Sequence, residues 1–229
     1  MKRTYFLTLV LAAALAGGCR GNDDKAAAPP AGSGPVGTSG AAADVKSSDK
    51  DFVRDAAIAN MAEVELGRLA LQRSTDDNVK KFAQMMIDDH TRGLNSLKDV
   101  ASRHLIEMPA QVDEKHHEKA QELGKKQGLE FDREYADMMV DGHQAVVDML
   151  GSRVDKDTVA AWKAKNIDPA TGKLIEAKSE AITIVAEKDD NAVTFSLNEW
   201  AATTYPRSFA HLEAAKDMQK GVQRRTTTP

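Results

Sequence analysis

Lys81-Phe82-Ala83-Gln84-Met85-Met86-Ile87-Asp88-Asp89-His90 returns 53 residues later as Glu134-Tyr135-Ala136-Asp137-Met138-Met139-Val140-Asp141-Gly142-His143. Five of the ten positions are identical, and Phe/Tyr and Ile/Val are conservative exchanges. In a helix, the repeated Met and the His four residues on fall on one face. A repeat of this kind predicts two copies of one supersecondary unit, hence a fold with internal two-fold symmetry and a place for a site on its axis.

Around the first copy the apolar seam reads Val79, Phe82, Met86, His90, Gly93, Leu97, Val100, predicting a helix over about 77–104. Around the second it reads Asp132, Tyr135, Met139, His143, Val146, Leu150, predicting a helix over about 129–153. Upstream, Phe52, Ala56, Ala59, Glu63, Leu66 and Ala70 mark a first helix that starts after Ser48 or Asp49, either of which can cap it, and runs to Arg73. A more polar helix is expected over about 112–126, after a turn at Ile106-Glu107-Met108-Pro109. A final helix over about 193–220 carries His211, Ala215 and Met218 on one face and is expected to break at Pro206. Residues 154–191 are the least legible: a short helix near 159–165, a turn at 168–172, and a helix or hairpin near Ile182, where Ala181-Ile182-Thr183-Ile184-Val185-Ala186 alone hints at a strand. The fold class that results is all-α, an antiparallel four-helix bundle with extra helices and an irregular insertion at 154–191, forming one domain over 50–221. Each long helix spans roughly 35–40 Å at about 1.5 Å per residue.

The N-terminal end reads as an export signal over residues 1–18: Lys2 and Arg3, then an apolar run from Tyr5 to Ala16 that falls short of a membrane span, then small residues. Cys19, the only cysteine, follows Ala16-Gly17-Gly18, which resembles the bacterial lipoprotein box with Ala16 where Leu is usual. Lipidation of Cys19 would make a membrane the partner and the periplasmic face of the cell envelope the location. Residues 19–49 are rich in Ala, Gly, Pro and Ser, the composition of a flexible tether with a reach of roughly 30 Å. The segment from Gly221, with 222–229 as its tail, is expected to be equally unstructured. Without residues 1–18 the chain has 29 basic against 35 acidic residues, and that mild acidity argues against nucleic acid as a partner.

Several strings resemble successive motifs of the family known as domain of unknown function 4142. They are Met61-Ala62-Glu63-Val64-Glu65-Leu66-Gly67-Arg68-Leu69-Ala70, Phe82 through His90, Phe131-Asp132-Arg133-Glu134-Tyr135 with Met139 and His143, and Pro206 with His211-Leu212-Glu213-Ala214-Ala215. The resemblance covers about 52–150 and 193–218, and nothing carries over to 154–191. It implies an exported bacterial protein with a ferritin-like bundle and no established activity. The helix bearing His143 is also similar to a related family of His- and Met-rich exported proteins for which copper binding has been proposed.

Glu63, His90, His143 and His211 each interrupt an apolar stripe, one on each of four helices, with Asp132 as a fifth candidate ligand. Imidazole with carboxylate suits several transition metals, and Met86 and Met139, one turn before the repeated histidines, would tilt the choice toward copper. Di-iron bundles use Glu-x-x-His on two helices; here Ile87 and Val140 stand three residues before His90 and His143, which argues against ferroxidase chemistry. A metal-free reading stands beside this one: Glu–His or Asp–His pairs can satisfy buried charges by themselves, and buried Met is commonly filler. Two functions remain open, a lipid-tethered envelope domain with a binding or scaffolding role in stress, its protein partner unnamed, and a periplasmic copper- or zinc-binding protein. An enzyme ranks third, because no phosphate loop, nucleophile elbow or Cys-x-x-Cys pair is present. His116, His117 and His104 read as surface or helix-end residues, and Trp162 and Trp200 as packing.

Overall fold

Six helices and no strand make up the described residues: α1 (Ser47–Arg73), α2 (Asp77–Arg103), α3 (Glu114–Gly124), α4 (Gly128–Gly151), α5 (Lys156–Asn166) and α6 (Ala192–Arg224). The computed structural model describes residues 44–175 and 182–225, all within one compact unit. The expected export signal, Cys19 and most of the expected tether lie outside them.

The periodic seams settle into two apolar clusters. One gathers Phe52, Val53 and Ala56 of α1 with Leu97 and Val100 of α2, Val147 and Leu150 of α4, and Val193 through Leu212 of α6. The other gathers Leu66 and Ala70, Val79 through Met86, Phe131 through Met139, and Ala215 through Val222. The start of α1 therefore shares an end of the bundle with the start of α6 and with the finish of α2 and α4. So α1 and α6 run one way, α2 and α4 the other. The packed pairs are α1 with α2 and α4, and α6 with α4 and α2, so every one of these neighbours is antiparallel. The repeated helices α2 and α4 occupy one diagonal. Fully burying an aromatic or aliphatic side chain is worth about 1.5–3 kcal/mol, so these clusters hold the bundle together.

Local chemistry sets the helix ends. Asp76 caps α2 by accepting from the N–H groups of Asn78 (2.7 Å) and Val79 (3.2 Å). Neither Ser48 nor Asp49 caps α1, because both lie inside its first turn and the N-cap residue is Lys46. Asp49 is instead buried and accepts from Arg153 Nη1 and Thr194 Oγ1, each at 2.7 Å, tying α1 to the end of α4 and to α6. At the end of α2, Ile106 N–H reaches Ala101 O at 2.9 Å and Leu105 N–H reaches Ser102 O at 3.2 Å, with Leu105 at φ 55°. That is a Schellman stop with leucine where glycine is usual. Close approach of α1 and α2 needs Gly67, since a Cβ there would lie 2.8 Å from Ile87 Cγ1 and 3.0 Å from Ala83 O.

Three expectations change. First, the repeated unit is a single helix and not a supersecondary pair. α1 packs on α2, but α4 packs on α6, because α3 is short and buries only Ala120 and Leu123. α3 instead lies in the crossover that returns the chain from the end of α2 to the start of α4. One long crossover is a connection found in ferritin-like bundles, and the likeness to them goes no further than this. Second, α6 continues through Pro206. The ring removes one helix hydrogen bond at about 3 kcal/mol, which the buried neighbours Tyr205, Phe209 and Leu212 offset. Third, α6 also runs past Gly221 to Arg224: Val222 is 2% exposed and Arg225 pairs with Asp76. Likewise residues 47–49, expected at the end of the tether, are helical.

The described residues between α4 and α6, 152–175 and 182–191, pack against the cluster that contains Trp200. Trp162 of α5 sets its ring edge-on to Phe209 (5.6 Å) and Tyr205 (6.3 Å), and Val154, Ile184 and Ala186 are buried beside it. The hint of a strand near Ile182 comes to a single antiparallel bridge, Val154 with Ala186. The expected turn closes with Gly172 N–H donating to Asp168 O at 2.7 Å, with Gly172 at φ 68°.

Candidate metal centre

Between the two apolar clusters lies a polar layer. His90 on α2, His143 on α4 and His211 on α6 are buried there, at 7%, 0% and 5% exposure. Their three ring centroids lie 5.4 Å from one another, a triangle with equal sides. One ring nitrogen from each comes within 4.8 Å of the other two.

The opposite nitrogens decide the tautomers. Asn60 donates from Nδ2 to Ala56 O at 2.7 Å, so its Oδ1 faces His90 Nδ1 at 3.1 Å. An amide oxygen accepts, so His90 carries its proton on Nδ1. His143 Nδ1 lies 2.8 Å from Met139 O and carries a proton for the same reason. His211 Nε2 donates to Asp89 Oδ2 at 2.8 Å. The nitrogens left with lone pairs in the neutral rings are then His90 Nε2, His143 Nε2 and His211 Nδ1. The first two stand 3.3 Å apart. His211 Nδ1 is buried without a hydrogen-bond partner.

Backing each inward nitrogen with an acceptor on the far side of its ring is how metal-binding histidines are oriented. Asp89 is the strongest of these supports. It also accepts from Arg207 Nη1 at 2.8 Å and pairs with Arg92. Burial pushes Asp89 up, but the hydrogen bonds from Arg207 and His211 outweigh it and hold the carboxyl below its ordinary value. Burial pushes His211 down to about 4, against the pull of Asp89. Burial, then the neighbouring imidazoles of His143 and His211, push His90 well below its ordinary value.

Glu63 of α1 flanks this triangle. Its Oε1 lies 3.8 Å from His143 Nδ1, too far for the hydrogen bond expected of a Glu–His pair, and its Oε2 has no partner. Burial raises its pKa, with His143 opposing. Gly142 makes room for it, since a Cβ there would sit 3.1 Å from Oε1. Gly142 is the repeat's counterpart of Asp89, so the two copies diverge where one supplies a carboxylate and the other admits one from α1.

Asp132 does not join. It sits 11 residues before His143, about 16 Å along the helix, where Ser74, Asp76 and Arg225 surround it and burial raises its pKa. Met86 and Met139 are fully buried in the second apolar cluster, and what Met139 gives the triangle is its backbone carbonyl. His116 bonds Asp113 at 2.5 Å and His117 is exposed. Asn60, Asp89 and Arg207 were not among the sequence candidates. The only signal for Asp89 was its place in Asp88-Asp89-His90, off the apolar seam.

A helical bundle with three buried imidazoles at the level where its apolar core is interrupted is the class of protein described here. The profile of the family called Domain of unknown function (DUF4142) matches residues 34–165, more than half of the chain, and the chain belongs to that family. The match takes in Glu63, Asp89, His90 and His143, while α6 with His211 lies beyond it. No curated protein matches the chain, and neither does any solved structure.

Proposed function

We propose that this domain binds one transition-metal ion, copper or zinc before iron, through His90, His143 and His211. The observation that carries the reading is that one ring nitrogen from each histidine lies within 4.8 Å of the other two, while His90 Nδ1, His143 Nδ1 and His211 Nε2 each face an acceptor. Two imidazole lone pairs 3.3 Å apart repel unless a cation lies with them. A proton can serve one such pair; a metal ion serves all three rings. Three imidazoles are a donor set for zinc or copper, and the missing bridging carboxylates disfavour a di-iron centre.

A second reading has its own observation. If His143 takes a proton, it can donate to His90 Nε2 while Glu63, 3.8 Å away, supplies the opposite charge. The layer would then be a metal-free polar network fixing helix register, in a binding or scaffolding domain.

The location proposed is the bacterial cell envelope, with the domain tethered through lipidated Cys19. The basic start, apolar run and small residues before Cys19 support it. Among the described residues no helix is long and apolar enough to cross a membrane. A Cys19→Ser variant should move the protein from the membrane fraction to the soluble periplasmic fraction.

The test of the metal reading is retention. The purified domain is incubated with Cu(II), Zn(II) or Fe(II), freed of excess, and assayed for bound metal and thermal shift. Binding at a thousandfold excess over Kd stabilises by about 4 kcal/mol. If His90→Ala and His143→Ala leave retained metal and Tm unchanged, the reading fails.

A further inference from the structure

Beside the triangle, a cavity of about 300 Å³ opens among α1, α2, α4 and α6, with His90, His211 and Asp89 in its walls. Resting on the metal reading, we propose that this cavity admits a small anion of a few heavy atoms, an inorganic anion or short carboxylate, as a further ligand to the bound ion.

Three observations point there. The protein offers three nitrogens, and a site with three protein ligands leaves a position for an outside one. At about 300 Å³ the cavity has room for a small anion beside the rings. Its charge is also one-sided. Arg92 and Arg207 line it with side chains 67% and 61% exposed, while Asp89 is the only carboxylate in its walls. Two guanidiniums against one carboxylate, with a cation behind them, draw anions. Trp200 and Ala59 supply apolar wall, which limits competing water and strengthens the attraction.

Copper(II) with azide is the probe, because azide bound to Cu(II) gives a charge-transfer absorption that free azide lacks. The copper-loaded domain is titrated with azide as wild type, as Ala59→Phe, which fills the cavity from α1, and as Thr203→Trp, which fills it from an exposed position on α6. The expected result is a saturable band in the wild type and at least a tenfold weaker azide response in whichever filling variant folds, with copper content held at one per chain. Retained copper with no azide band, or with the same azide affinity in the filled variants, overturns the anion proposal and leaves the metal reading standing. A wild type that retains no copper overturns both.

Discussion

His90 Nε2 and His143 Nε2 face each other at 3.3 Å, each on a ring whose other nitrogen already has an acceptor. On the metal reading both nitrogens serve one ion, so removing either should do nearly the whole damage. His90→Ala and His143→Ala are each expected to abolish most of the metal-induced rise in Tm, with the double variant no worse than the singles. A thermal-shift cycle at fixed metal measures this, and additive losses would mean two independent sites.

Asp89→Asn tests the support behind His211. The carboxylate accepts from His211 Nε2 and so leaves Nδ1 as the inward lone pair; an amide can present a donor there and reverse the tautomer. Metal affinity is expected to fall by about 10–100-fold with little change in fold, read by competition with a chelator. Unchanged affinity would reduce Asp89 to a partner of Arg92 and Arg207.

How far the sequence discloses this arrangement depends on what periodicity encodes. The stripes place His90, His143 and His211 inside because apolar spacing reports which face of a helix is buried, and all three are. Height along the axis is not encoded, so Asp132 shares a buried stripe with His143 yet sits three turns away. Asp89 is lost for the converse reason: it is rotated off the seam, and its value comes from α6, which no local pattern reveals. The same limit hid the partner of α4, since a copied helix looks like a copied supersecondary unit until the third dimension shows α6 beside it. Pro206 misled because local propensity is overridden by tertiary burial on both sides of it.

Acidification should weaken the metal-free protein. His211 is pushed by burial from 6.5 to about 4 in the fold, so its contribution is present in full above the ordinary value and is lost as pH falls through the lowered one. That shift amounts to about 3 kcal/mol at 1.36 kcal/mol per unit, lost between roughly pH 6.5 and 4. His90 moves in the same direction, while the raised Glu63 opposes them by taking up a proton in the fold. Urea unfolding at neutral and acid pH should therefore show a smaller acid loss for His211→Leu than for the wild type. An equal loss would show that the ring is not held neutral.

Leu105→Gly concerns the fold alone. Leu105 holds φ 55° with 91% exposure, so its side chain contributes no burial to set against the strained backbone. Glycine should stabilise the domain by about 1 kcal/mol, measured by urea unfolding, and leave metal retention untouched.

Glu63→Gln separates an ion from a proton in the layer, because the two readings give opposite signs. With metal, the apo protein carries at neutral pH a buried carboxyl that burial disfavours as an anion and whose Oε2 has no partner. The amide keeps the shape and cannot ionise, so apo Tm should rise by the equivalent of about 1 kcal/mol while the metal-induced rise shrinks for want of a nearby negative charge. With a proton on His143, the same substitution strips a buried imidazolium of its counter-charge 3.8 Å away, and Tm should fall without any metal present. A higher apo Tm together with a smaller metal shift favours the ion; a lower apo Tm with no retained metal favours the proton.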